Sequence, residues 1–237
     1  MRDIFELLKK KDVGAIGIGA MIVFIALILV AGVAASVLIQ TSNTVQLQAM
    51  KTGQDTMKEV AGGIAVYDIE GMVNRTTRIN NMSYLAITVR ARPGSGDVDL
   101  NNTYILMSDG AKKVLLRYGY EVLGLFVTKT SAVGNIFSKL TAGAGGWGSV
   151  NNERFGILVM QDYDSSMTRF SPVMNRGDKA VILVRCGGGT NGTNGTFGRE
   201  IPVRTAVFGQ IIPERGSPGV IAFTTPMSYS EIIYDLQ

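Results

Sequence analysis

Two patterns of apolar and polar positions divide this chain. From Ala15 to Met50, 36 residues pass without an Asp, Glu, Lys or Arg, and the first 25 of them, AIGIGAMIVFIALILVAGVAASVLI, are apolar apart from Ser36. A helix of this composition is apolar on every face and cannot stand in water. At about 1.5 Å per residue it reaches roughly 37 Å, longer than the roughly 30 Å hydrocarbon core of a bilayer. No Lys or Arg cluster closes the run, which fades through TSNTVQLQAM before Lys51, so the helix is expected to continue. Beyond it Met50, Gly53, Met57, Val60 and Ile64 recur at spacings of 3 and 4, the seam of a helix that packs on other helices. A rod apolar in its first half and seamed in its second is expected to bury itself among copies of itself.

From about Ile64 the period changes. Short runs of Val, Ile, Leu, Thr and Tyr alternate with Gly, Asn, Asp and Ser clusters, the pattern of an all-β sandwich or barrel. Strands are expected over Ile64–Val73, Tyr84–Arg92, Thr103–Met107, Lys113–Tyr118, Phe155–Gln161, Lys179–Arg185, Ile201–Ile212 and Val220–Thr225, with Leu85, Ile87 and Val89 sharing one face. The glycine pair Gly62-Gly63 ends the helix. The fold class is therefore α+β: a long N-terminal hydrophobic α-helix, then an all-β sandwich of Ig-like type. The glycine-rich stretch Gly187 to Gly195 is expected as a mobile exposed loop.

Ahead of the apolar run, MRDIFELLKKKDVG carries Arg2, Lys9, Lys10 and Lys11. It has the character of a targeting signal held in the cytoplasm, with everything past Met50 outside. Two cleavage points fit. One lies after the apolar run, around Ala34-Ala35-Ser36, and discards the helix; the other lies before it, between Gly14 and Ala15, and keeps it.

Composition narrows the chemistry. The net charge of +4 is modest, and no Lys/Arg cluster stands beyond the signal region, so nucleic acid is not an expected partner. The single Cys186 excludes an internal disulfide and reads as a buried thiol at a strand end. With no His, Ser/His and Cys/His nucleophilic pairs and the usual zinc ligand sets are absent. Gly143 to Gly148 match G-x-G-x-x-G, but in a glycine-rich loop of a β-rich region rather than between a strand and a helix. Asp97, Asp99 and Asn101 alternate as hard-cation ligands do, but without the glutamate that closes such a loop; a solvated turn is the default. No catalytic residue, metal or cofactor is expected.

One positive chemical signal is glycosylation. Asn-x-Ser/Thr sequons occur at Asn74, Asn81, Asn101, Asn191 and Asn194, five of the twelve asparagines, and mark candidate N-glycan sites on an exported chain.

The basic run, Gly14 and AIGIGAMIVFIALILVAGVAASVLIQTS together resemble the start of an archaellin, the filament subunit of the archaeal motility organ. The likeness is close over about 50 residues and looser through GQDTMKEVAGGIAVYDIEG, residues 53 to 71. It implies a class III signal peptide, as in type IV pilins, cut between Gly14 and Ala15 by a membrane aspartic peptidase of the prepilin type. It also implies transient membrane insertion, an archaellum assembly platform, N-glycans and a homopolymer outside the cell. Bacterial pilins usually place a glutamate five residues into the mature chain, where this one has Gly19. The expected organisation is 1–14 signal peptide, 15–62 filament-core helix and 63–237 extracellular β-domain. Within the helix, Ile18, Ile22, Phe24, Ile25, Leu29, Gly32, Ala35 and Leu38 are the expected polymerisation core. Two alternatives remain: an archaeal type IV pilus or adhesion subunit, and a single-pass, membrane-tethered β-domain that binds a ligand.

Overall fold

The computed structural model describes residues 2–74, 81–121, 124–128, 135–139, 150–187 and 195–237. Its first element is a helix of 60 residues, α1 (Arg2–Ala61). Strands follow in the order β1 (Ile64–Asn74), β2 (Asn81–Ala91), β3 (Val98–Asp99), β4 (Tyr104–Ser108), β5 (Lys113–Tyr118) and β6 (Phe126–Thr128). After the short α2 (Ile136–Lys139) come β7 (Arg154–Gln161), β8 (Val173–Met174), β9 (Lys179–Arg185), β10 (Ala206–Ile212), β11 (Gly219–Thr224) and β12 (Ile233–Asp235). By its internal contacts the chain divides into two units, Met1–Asp55 and Thr56–Gln237.

The helix ends where the glycine pair stands. Gly62 donates its N–H to Lys58 O at 2.9 Å, and Gly63 takes φ of +129°, a conformation that residues with a Cβ rarely adopt. The seam expected to run through Ile64 therefore stops at Val60, and Ile64 becomes a fully buried start to β1. This elbow is tied on both sides. Ile64 donates to Ser217 O and Ser217 to Gly62 O, while Arg92 donates its backbone N–H to Gly63 O. Gly216, at φ +91°, passes so close that a Cβ there would strike the Gly62–Gly63 backbone.

Ten strands form one sheet in the order β11-β10-β4-β5-β7-β9-β2-β1-β12, with β6 pairing β7; β3 and β8 make a separate two-stranded ribbon. The halves are joined by a short parallel pairing, Arg117 with Arg154 and Tyr118 with Phe155. The strand order is thus that of one curled sheet, a half-barrel, and not the two separate layers of the expected Ig-like sandwich. At its centre β9 is buried on both faces from Ala180 to Arg185. Leu85, Ile87 and Val89 are fully buried as expected, but Ala86 between them is buried as well.

Most expected strands appear within one to three residues of their bounds, and β5 and β9 match at both ends. The exception is β10, expected from Ile201. Ile201 makes only an isolated bridge to Met82; Pro202 has no N–H to donate and Arg204 sits at φ +57°, so the strand starts at Ala206. The glycine-rich stretch also differs from expectation at its ends. Gly187 and Gly195 are buried, pinned by Thr196 N–H to Arg185 O at 2.7 Å and Phe197 N–H to Cys186 O at 3.2 Å. Residues 188–194 lie outside the described residues, as does the whole Gly143–Gly148 motif.

One buried charge locks the β4–β5 turn to this region. Asp109, with its side chain 2 % exposed, accepts from Arg199 Nη2 at 2.9 Å and from the backbone N–H groups of Lys112 and Ala111. Burial alone would raise the Asp109 carboxyl; Arg199 and those two donors outweigh it and hold it below its ordinary range.

Cys186 is fully buried just past β9, and burial pushes its thiol pKa well up. A thiol is reactive as thiolate, so in the folded chain Cys186 should resist iodoacetamide at pH 8 and react fully in guanidinium chloride. Labelling of the native protein at the rate of a free thiol would show that this strand end is open.

Candidate assembly site

The apolar helix is a long unsatisfied surface among the described residues. Every residue from Gly17 to Ala61 is exposed, and no part of this apolar span is buried within the chain. Ile18 is 65 % exposed and Leu38 70 %, with Ile22, Phe24, Ile25 and Leu29 between them similarly bare. A Cβ built on Gly32 meets nothing within 4 Å, so the groove this residue leaves is open to another backbone.

At about 100° per residue the helix sorts these positions. Ile18, Ile22, Ile25, Leu29 and Gly32, spaced 4, 3, 4 and 3, fall on one face; Phe24, Ala35 and Leu38 fall on the far side. The structure therefore does not gather the expected core residues into a single stripe. Covering all of them takes neighbours around the helix. Polar residues enter without breaking it, because the hydroxyls of Thr41, Thr44 and Thr52 donate to Val37 O, Gln40 O and Gln48 O at 2.7 to 2.9 Å. Each hydroxyl is satisfied inside the helix and needs no water. Gly14 and Ala15 lie in the backbone of the same helix.

The sequons are spread over the second unit. Asn74 and Asn81 face one another as the last pair of the β1–β2 register, so two of them share the mouth of one hairpin. Asn101 stands in the turn before β4 and is half-buried. Asn191 and Asn194 lie outside the described residues.

The cation reading of Asp97, Asp99 and Asn101 is not assembled. Asp99 spends one carboxylate oxygen on Asn101 N–H at 2.8 Å and the other on Asn102 Nδ2 at 3.3 Å, which is a hydrogen-bonded turn. A different carboxylate group comes together instead: Asp162, Asp164 and Asp178, with ligand oxygens within 4.8 Å of one another. Such hard oxygens are the donors calcium and magnesium take. Here they also fasten the loop between β7 and β9. Asp162 accepts from Ser166 and Met167 N–H, and Asp178 from Tyr163 and Asn175 N–H at 3.2 and 3.0 Å. Hydrogen bonds from Ser166 and Asn175 hold the Asp164 carboxyl below its ordinary range. Sequence reading missed this group because Asp178 is 14 residues from Asp164 and no spacing rule joins them.

Comparison with known proteins gives one answer throughout. The sequence model of the archaeal-type flagellin family matches residues 14–223. The chain is similar to Flagellin B3 of Thermococcus kodakarensis, 39 % identical over 97 % of this chain and 99 % of that one. It is also similar to Flagellin B2 of Methanocaldococcus jannaschii, 38 % identical over 95 % and 94 %. Among solved structures, the crystal structure of an archaeal flagellin from Methanocaldococcus jannaschii aligns with a TM-score of 0.61 at 30 % identity, covering 75 % of this chain and 98 % of that one. The archaeal flagellum of Methanospirillum hungatei aligns at 0.51 with 14 % identity over 93 % and 98 %, a likeness of fold alone.

The buried carboxylate that closes the β7–β9 loop gives this site its test. Asp178 is 1 % exposed, so Asp178→Ala strands the N–H groups of Tyr163 and Asn175 and should cost about 1–3 kcal/mol. Denaturant unfolding of the variant reads this directly, and an unchanged midpoint would show that the loop is held elsewhere.

Proposed function

This chain belongs to the archaeal-type flagellins and is a structural, non-enzymatic subunit of the extracellular archaellum filament; on that premise we propose that residues 15–39 are its polymerisation core. The observation that carries this reading is the bare, all-round apolar surface from Ile18 to Ile39. Before assembly, lipid covers such a helix. Outside the membrane only the same helices of neighbouring subunits can take the place of lipid. Burying a large apolar side chain yields roughly 1.5–3 kcal/mol, so the fifteen Ile, Leu, Val, Met and Phe residues within 15–39 give tens of kcal/mol gross. Ordering and association costs reduce that sum without reversing it.

Processing follows from the same physics. Lys9, Lys10 and Lys11 would have to enter an apolar bundle if they stayed on the chain, and unpaired charge there is costly. Removal of residues 1–14 by a prepilin-type aspartic peptidase, between Gly14 and Ala15, frees the helix to leave the bilayer and join the filament through the assembly platform. The start of the family match at residue 14 supports this boundary. Asn74, Asn81, Asn101, Asn191 and Asn194 are the N-glycan acceptors, where sugars shield the part of the subunit turned to solvent.

Two measurements test these assignments. N-terminal sequencing and intact mass of protein sheared from cells should give Ala15 as the first residue and a mass above that of the bare chain, with Asn191 or Asn194 occupied; Gly14→Leu should leave uncleaved protein in the membrane. Filaments assembled from uncleaved chains would end the processing claim.

Gly32 and Ala35 are the places where helices can approach most closely. Gly32→Phe or Ala35→Phe should abolish filaments in electron micrographs while the far-ultraviolet spectrum of the β-domain stays unchanged. Normal filaments from both variants would place the core elsewhere.

A further inference from the structure

The outer face of β4, β5, β10 and β11 is unusual for a sheet exposed to water. One face of an antiparallel sheet is commonly solvated and polar. Here Leu115, Phe208 and Val220 are 56, 61 and 60 % exposed, and Tyr104, Leu106 and Ile212 extend the same surface. The registers make it continuous: Leu115 stands opposite Leu106, Leu106 opposite Gln210, and Gln210 opposite Val220. A shallow depression runs across it between Leu106, Phe208 and Val220. Apolar patches of this kind on a soluble domain mark contact surfaces. The charges on it have one sign. Lys113 and Arg117 flank Leu115 on β5, and none of the four strands carries an Asp or Glu.

The opposite sign is gathered at the other end of the same sheet. Asp68, Glu70 and Met72 share one face of β1, and the register sets Asp235 beside Glu70 and Ile233 beside Met72. Neither β1 nor β12 carries a Lys or Arg, and among the described residues none of these carboxylates is in an ion pair. Arg90 and Lys179 sit instead over the Tyr67 ring, at 5.4 and 6.0 Å. Partial burial, with Asp68 and Asp235 nearby, raises the Glu70 carboxyl above its ordinary range, as expected of carboxylates crowded together without a cation.

We propose that the apolar, cationic face of β4, β5, β10 and β11 seats a second copy of this chain through that copy's acidic β1–β12 face. The inference rests on the filament reading and extends it from the helices to the β-domains. Complementary charge chooses the occupant: Lys113 and Arg117 meet Asp68, Glu70 and Asp235, while Leu115 meets Met72 and Ile233. Symmetry requires the same choice. Two identical faces pressed together close a dimer and stop, whereas a helical polymer of one chain needs two different surfaces that meet head to tail. A cationic face set against itself would also repel.

Cysteine cross-linking in intact filaments of the full chain tests this, with Cys186 buried and silent. The double variant Leu115→Cys/Ile233→Cys, treated with a short bis-maleimide, should give a ladder of dimers, trimers and longer oligomers in denaturing gels. Neither single variant should give one. Dimers from Leu115→Cys alone would show the face meeting itself, and intact double-variant filaments without a ladder would show that another surface covers it; either result overturns the interface. Adding Lys113→Glu and Arg117→Glu to the double variant should remove the ladder, and its persistence would overturn the charge pairing. Absence of any filament from the wild-type chain would instead refute the filament reading, and the interface with it.

Discussion

A helix that is apolar on every side has no stable place in water, and nothing from Gly17 onward in this one is covered by its own chain. That constraint orders the rest of the molecule. The far side of the helix, with Phe24, Ala35 and Leu38, is as apolar as the side with Ile18, Ile25 and Leu29, so pairing with one neighbour would leave half of it wet. A sheath of lipid and a lattice of like helices are the two environments that satisfy it. The second unit must then hold its own fold through either environment. With one cysteine it has no disulfide, and it relies on a core that runs from Ile64 to Tyr229 and on the contact of the buried Asp109 with Arg199.

What could be read from the sequence was what is local. Lys113–Tyr118 and Lys179–Arg185 were legible to the residue because turn signals bound them and β-branched or aliphatic residues fill them. The glycine pair at 62 and 63 announced the end of the helix. Strands of two or three residues, such as Val98–Asp99, Phe126–Thr128 and Ile233–Asp235, were not legible, because a partner far along the chain defines them. Ile233 belongs to a strand only since Met72 lies beside it. The same limit hid the single curled sheet: the parallel pairing of Arg117 with Arg154 joins segments 37 residues apart, and no periodicity reports such a join.

The site was legible in its chemistry and not in its geometry. The unbroken apolar run identified the bare apolar helix, yet its residues looked like one core until their angles around the axis separated them into two faces. Asp97, Asp99 and Asn101 had the spacing of ligands and became a turn, whereas Asp162, Asp164 and Asp178 had no recognisable spacing and converged. Sequons gave candidate positions, but only the register reveals that Asn74 and Asn81 stand across from each other.

The elbow at Gly62–Gly63 also determines how the subunit bears mechanical load. A motility filament is pulled and twisted, and tension in the chain at the end of α1 enters the β-domain through Ile64. That residue begins β1, whose antiparallel ladder with β2 extends from Ile64–Ala91 to Asn74–Asn81. Drawing β1 out along its own axis strains those hydrogen bonds together, in shear, rather than peeling them one at a time. The bonds between the elbow and Ser217 share the load with the opposite edge of the sheet. The geometry that turns the chain out of its helix therefore also resists the unravelling of the domain it leads into.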